Sequence, residues 1–177
     1  MKLILLGLPG AGKGTQGKYL ASLLSEPHIS IGDLVREHVS RKTELGKEIA
    51  THWSGVWKPL PDEVAVRVVE EALTGLTGWI LDGFPRNVVQ VEAADFLGHV
   101  DCVIHLSVSD QESHRRIASR ARVIDAEQMW EARMAAERER LPKLVEYLGS
   151  RFRLVEVDAN PSEEIVSASV QSILKGG

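Results

Sequence analysis

Gly7-Leu8-Pro9-Gly10-Ala11-Gly12-Lys13-Gly14-Thr15 follows directly on the apolar run Leu3-Ile4-Leu5-Leu6. A hydrophobic strand thus runs into a glycine-rich loop, and the loop opens a helix read from Lys13 to about Leu24. In that order, Gly7-x4-Gly12-Lys13 reads as a phosphate cradle rather than a flexible turn. Glycines let backbone N–H groups crowd round a polyphosphate without Cβ clashes, and the helix N-terminus adds a favourable dipole. Lys13 supplies a mobile positive charge for the outer phosphates. The loop implies a nucleoside triphosphate site and leaves its use open.

Working outward, 177 residues with 44% hydrophobic content suffice for one domain with a single core, and 5% aromatic content makes that core largely aliphatic. A net charge of −4 argues against a general nucleic-acid binder, which carries a basic face. Cys102 lies in the apolar run Val100-Asp101-Cys102-Val103-Ile104, where a buried, inert thiol is expected and no disulfide framework is available. The apolar start is broken by Gly7, Pro9 and Gly10, too soon for a signal peptide, and no stretch reaches membrane-spanning length. These features lead to the expectation of a soluble cytoplasmic protein with no membrane partner.

Strand character recurs at Lys2–Leu6, Gly78–Leu81, Cys102–Leu106 and Leu154–Val157, with a short fifth strand at His28–Ser30. Helical patterns lie between them, so the fold class is α/β: a five-stranded parallel sheet between helical layers, with right-handed crossovers. Ligands in such sheets bind beyond the carboxyl ends of the strands. From Gly32 to about Leu73 the pattern is nearly all helical, interrupted at Lys42-Thr43 and at Gly55 to Pro61. That stretch reads as a helical insertion over the sheet edge, with Asp62 as N-cap of a helix to Leu73. Asp125 to about Leu148 reads as one long helix, kinked at Pro142. His28, His38, His52, His99, His105 and His114 show no metal-ligand spacing and are read as structural or solvated.

The second chemical motif is Trp79-Ile80-Leu81-Asp82-Gly83-Phe84-Pro85-Arg86, followed by Gln90. A carboxylate at a strand's carboxyl end suits the organisation of Mg²⁺ and its waters. Gly83 allows close approach, Pro85 stiffens the turn, and Arg86 can grip a phosphate with two parallel hydrogen bonds. Alone, the stretch also fits a surface turn with an ordinary ion pair.

Together with the loop, and with Ile29-Ser30-Ile31-Gly32-Asp33-Leu34-Val35-Arg36, the motif resembles the adenylate kinase family of nucleoside monophosphate kinases over essentially the whole chain. Gly14, standing between Lys13 and Thr15 where the generic loop has Ser or Thr, is itself a feature of that family. The resemblance implies a P-loop three-layer αβα domain over residues 1–177, with a monophosphate-binding insertion over about 32–61 and a minimal lid over about 120–125. It also implies reversible Mg²⁺-dependent transfer of the ATP γ-phosphoryl group to a nucleoside monophosphate, most simply AMP. The partners implied are ATP or ADP and a monophosphate, and the family is mostly monomeric.

By position, Gly10, Ala11, Gly12, Lys13, Gly14 and Thr15 would cradle the donor phosphates, with Arg116 and Arg120 beside them. Arg36 and Arg86 would hold the acceptor phosphate, and Gln90 would read its base. Ile31, Gly83 and Leu60 would lie along the acceptor, Leu60 at the end of a segment starting at Gly55 whose backbone lies against the base. Arg122 and Arg133 would close on the transferring phosphoryl group, and with Lys13 and Arg86 make the catalytic set. Asp33 and Asp82 would organise metal-bound water. No direct protein ligand to Mg²⁺ is assigned, and no zinc ligands are present. Arg115, Arg138 and Arg140, beside glutamates, are read as solvated ion-paired surface.

The chain departs from the family in three places. Only Ala121 separates Arg120 from Arg122, so the donor site has little cover, and ATP hydrolysis without acceptor is expected. Ile124 replaces the first of two aspartates, leaving Asp125. Ile31 stands where a threonine commonly bonds the acceptor base, which loosens discrimination and leaves UMP, CMP or dAMP open as acceptors. Trp53 or Trp57 either stacks on the base or packs a helix on the core. A nucleotide-binding sensor with weak transfer is the alternative from a different class. Arginines arranged for two phosphate groups speak against it.

Overall fold

The structure, a computed structural model, describes residues 1–52, 59–118 and 127–175. In chain order the elements are β1 (Lys2–Leu6), α1 (Lys13–Leu24), β2 (His28–Ser30), α2 (Ile31–Ser40), α3 (Glu44–His52), α4 (Asp62–Leu73) and β3 (Trp79–Asp82). They continue with α5 (Val88–Glu92), a 3₁₀ turn at Asp95–Leu97, β4 (Cys102–Ser107), α6 (Asp110–Ala118), α7 (Glu127–Gly149), β5 (Leu154–Asp158) and α8 (Glu163–Lys175). The five strands form one parallel sheet in the order β2-β3-β1-β4-β5. All five predicted strands are present, including the short one at His28–Ser30.

Side-chain alternation divides the sheet between two helical layers. Leu3, Leu5, Ile80, Cys102, Ile104 and Leu106 share a cluster with Leu20 of α1 and Val166 and Val170 of α8. Ile4, Leu6, Leu81 and Val103 share another with residues of α2, α3, α4 and α7. A strand buried on both faces reads as a continuous apolar run, which is what Leu3 to Leu6 presents. Cys102 is buried as expected, and that burial pushes its thiol pKa up.

The chain leaves β1 for α1 and β2 on one side, returns through β3, and crosses to β4 on the other side of β1. The sheet order therefore reverses around β1, and the crevice beyond the carboxyl ends of β1, β3 and β4 is where an α/β sheet takes its ligand.

One local expectation changes. Asp62 is the first residue of α4, with Pro61 in the capping position. Its carboxylate serves elsewhere, accepting from Asn87 Nδ2 at 2.9 Å and Gln90 Nε2 at 2.7 Å. Pro61 has a ψ of 141°, non-helical as a cap residue is, and its missing N–H is one that a helix start leaves without an intrahelical partner. The long helix is described from Glu127 through Pro142 to Gly149. Trp53, Gly55, Trp57, Arg120, Arg122, Ile124 and Asp125 fall outside the described residues.

Candidate active site

The glycine loop is shaped by what its neighbours exclude. Gly7, Gly10 and Gly12 have φ of 144°, 82° and 91°. A Cβ on Gly10 would lie 2.7 Å from the Ser113 carbonyl oxygen, so the loop packs on α6 through bare backbone. Ser113 fixes that contact, its buried hydroxyl donating to the Pro9 carbonyl at 2.6 Å. Gly12 caps α1 in the left-handed region with no side-chain hydrogen bond, and no acidic residue lies in the first turn. No carboxylate of α1's own first turn counters the helix dipole.

Lys13 folds back over this loop, its Nζ donating to the carbonyls of Gly7 at 2.8 Å and Leu8 at 3.0 Å. Burial lowers its pKa, opposed by the nearby charges of Asp82 and Glu137. An incoming phosphate would take over the ammonium from those two carbonyls and offset the desolvation.

A cavity of about 500 Å³ opens beside the loop. Among the described residues its wall carries Lys13, Lys18, Arg36, Arg86, Arg133 and Arg140 against the carboxylates of Asp33, Asp82 and Glu137. Six cations facing three carboxylates suit a polyanion. Gly10, Gly12, Gly14, Thr15, Ile31 and Gly83 line the same space. Asp82 closes β3 and is nearly buried, with His28 Nε2 3.7 Å from its Oδ2. His28 lines the cavity, a place the sequence did not reveal.

Arg86 follows a cis Phe84–Pro85 peptide. Its Nε donates to the Gly83 carbonyl at 3.0 Å, and its backbone N–H donates to Gln90 Oε1 at 2.7 Å. Burial, then the charge of Arg140, lowers its pKa to about 10. It stays cationic at neutral pH. Gln90 is buried and does not line the cavity. One hydrogen and one lone pair of its amide remain beyond the Arg86 and Asp62 bonds. Arg36 pairs with Asp33 at the cavity mouth, and that bond lowers the Asp33 pKa.

A second cavity of about 500 Å³ shares Gly12 and Thr15 with the first and is also lined by Ala11 and Arg116. Arg116 Nη2 donates to the carbonyls of Asn160 at 3.2 Å and Pro161 at 3.1 Å, and its Nε donates to Glu112 at 2.7 Å. The loop is thus a common wall between two chambers. Leu60 packs on the core and lines neither.

The surface reading of the extra arginines needs one correction. Arg115 pairs with Glu112 and Arg138 with Asp110 at exposed positions, as expected. Arg140 instead faces the cavity, paired with Glu137, which is 6% exposed. An Arg–Glu pair three apart on a helix looks the same in sequence whether the face is wet or buried. Among the described residues no group of three His, Cys, Asp or Glu side chains is placed to hold a metal, and no helix is long and apolar enough to cross a membrane.

Comparison with known proteins finds relatives of nearly the same length. The adenylate kinase family model matches residues 5–152. The chain is 38% identical to the adenylate kinase of Thermobifida fusca (strain YX) over 186 residues, covering 98% of each protein. It is 36% identical to the adenylate kinase of Cyanothece sp. (strain PCC 7425), covering 98% of this chain and 94% of that one. It is also 36% identical to adenylate kinase 1 of Synechocystis sp. (strain PCC 6803), covering 98% and 96%. A strand-to-helix glycine loop shared by two chambers, one of them lined by Arg36 and Arg86, is matched by likeness along nearly the full length, and the chain belongs to the adenylate kinase family.

Proposed function

We propose that the protein catalyses reversible, Mg²⁺-dependent transfer of the ATP γ-phosphoryl group to a nucleoside monophosphate, with AMP as the principal acceptor. The bond from the γ-phosphorus to the β,γ-bridging oxygen breaks, and a bond to an acceptor phosphate oxygen forms, giving two diphosphates. The observation that carries this reading is the glycine loop's position between two chambers, one with Arg116 and the other with Arg36 and Arg86. A protein that only bound ATP would have no use for the second set of cations.

Lys13 and the N–H groups at the start of α1 hold the donor phosphates. Arg86 and Arg36 hold the acceptor phosphate, and Arg133 faces the same space from α7. Alignment and charge matching supply most of the rate in phosphoryl transfer, so the protein needs no nucleophile of its own. Asp82 and Thr15 offer hard oxygen atoms at the cavity wall, which fits a Mg²⁺ held mainly by phosphates and water. The ion, when bound, neutralises charge on the phosphates. Gln90 stands behind the cavity wall, so its remaining amide hydrogen and lone pair would meet the acceptor base once that wall gives way, and the α2–α3 insertion acts as the acceptor flap. The protein works as a cytoplasmic monomer.

Ile31 favours a broader acceptor range as a second reading. It is 4% exposed, its Cγ2 lies 3.0 Å from where a Gly83 Cβ would stand, and it brings no hydrogen-bonding group to the cavity. A coupled assay with ATP, Mg²⁺ and AMP, UMP, CMP or GMP, beside a no-acceptor control, tests both readings. ADP formation fastest with AMP is expected, with slow hydrolysis in the control. Equal rates with and without every acceptor would remove the kinase assignment.

A further inference from the structure

The Glu137–Arg140 pair lines the first cavity, and neither the family resemblance nor the roles set out above use it. Glu137 is a nearly buried carboxylate from α7, and its charge acts on Lys13 and Arg86 as well as on Arg140. Arg140 pairs with Glu137 through Nη2. With Nη1 it donates to the Arg86 carbonyl at 2.8 Å. One planar guanidinium therefore bridges a helix carboxylate and the backbone of the turn that presents Arg86. That geometry needs the forked donors of arginine, which a lysine ammonium does not reproduce.

The Arg86 turn is held on both sides. Gln90 takes the N–H of Arg86, and Arg140 takes its carbonyl. With both peptide groups fixed, the guanidinium's approach to the cavity is set by few remaining torsions. Two like charges would otherwise keep Arg86 and Arg140 apart, and Glu137 offsets that repulsion.

We propose that Glu137 and Arg140 are a positioning pair for acceptor binding, in which Arg140 pins the Arg86 turn and Glu137 pins Arg140. The proposal rests on the reading that Arg86 binds the acceptor phosphate. AMP and ATP affinities are measured separately by equilibrium titration of the purified protein, together with KM and kcat for both. For Arg140→Met the AMP dissociation constant and KM rise about tenfold, while ATP binding changes less than twofold. Arg140→Lys keeps the charge and loses the fork, so it recovers less than half of the lost AMP affinity. Glu137→Gln keeps an acceptor for Arg140 and gives a smaller loss than Arg140→Met.

Unchanged AMP affinity in Arg140→Met, equal loss for AMP and ATP, or full rescue by Arg140→Lys would each overturn the pair's role. If the wild type transfers to no monophosphate, the proposed function fails by itself. AMP titration needs no turnover and still reads the pair.

Discussion

The backbone N–H of Arg86 donates to the side-chain Oε1 of Gln90 at 2.7 Å. The residue assigned to the acceptor phosphate and the residue assigned to its base are therefore one mechanical unit. Gln90 also donates to Asp62 at the start of α4, which ties that unit to the helical layer over the sheet.

Gln90→Leu should consequently injure more than base recognition. It leaves the part-buried N–H of Arg86 without its acceptor, at a cost of up to about 1–3 kcal/mol. The expected result is a melting temperature several degrees lower, since each kcal/mol shifts a domain of this size by roughly 2–4 °C. The KM for AMP should rise with it. A variant with normal melting and a raised KM would separate the two roles that the geometry joins.

Lys13→Ala should reduce transfer by at least about 100-fold, the scale for losing one donor to developing charge. Its fold should survive. Burial holds the folded-state pKa of Lys13 below its usual 10.5. Charging this lysine therefore opposes folding, and its contribution to stability improves as pH rises from the lowered value toward 10.5. Circular dichroism melts at pH 7 should show little or no destabilisation, and near-normal turnover would remove Lys13 from the site.

Gly10→Ala tests the packing of the loop. Gly10 and Gly75 share nearly the same φ, 82° and 81°. At Gly10 a Cβ would meet the Ser113 oxygen at 2.7 Å, whereas Gly75 has nothing within 4 Å. Gly75→Ala should cost about 1–2 kcal/mol, the backbone penalty alone. Gly10→Ala should cost more and also weaken ATP binding. Equal costs in denaturant titrations would mean that the loop yields at Ser113.

Ile31→Thr should sharpen acceptor choice. A neutral hydrogen bond contributes about 0.5–1.5 kcal/mol, so the preference for AMP over CMP should grow a few-fold in kcat/KM. An unchanged acceptor panel would show that position 31 does not meet the base.

Glu112 provides the pH test. Hydrogen bonds from Arg115 and then Arg116 hold its carboxyl at about 2, down from 4.5. A lowered carboxylate pKa means that its stabilising share is complete above 4.5 and is lost as pH falls toward 2. Carbon-13 NMR of the Glu112 carboxyl should show a midpoint near the lower value. A midpoint at 4.5 would mean that the arginines walling the second chamber are not held by Glu112 in solution.

Most of the frame was legible in the chain. The bounds of α1 emerged intact, because a glycine loop ending in a helix start is decided by a few adjacent residues. The β2 strand was readable from three residues between helical patterns. Contacts between distant positions leave no such local mark. Asp62 reads as the cap of its own helix, yet it serves Asn87 and Gln90, 25 and 28 positions away. Arg140 looked like solvated surface because its helical neighbour Glu137 completes a local pair.

By itself the sequence determined the parallel sheet, the loop at its switch point, and the family to which both belong. Those features depend on side-chain alternation and on positive φ, which neighbouring residues impose. Only the tertiary structure decided which charges share the cavity, that His28 stands beside Asp82, and that Gln90 and Arg140 grip opposite sides of one peptide turn. The Arg140–Arg86 bond spans 54 positions and the Ser113–Pro9 bond spans 104. The energy of such contacts depends on distance and burial after packing, and no local pattern carries that information.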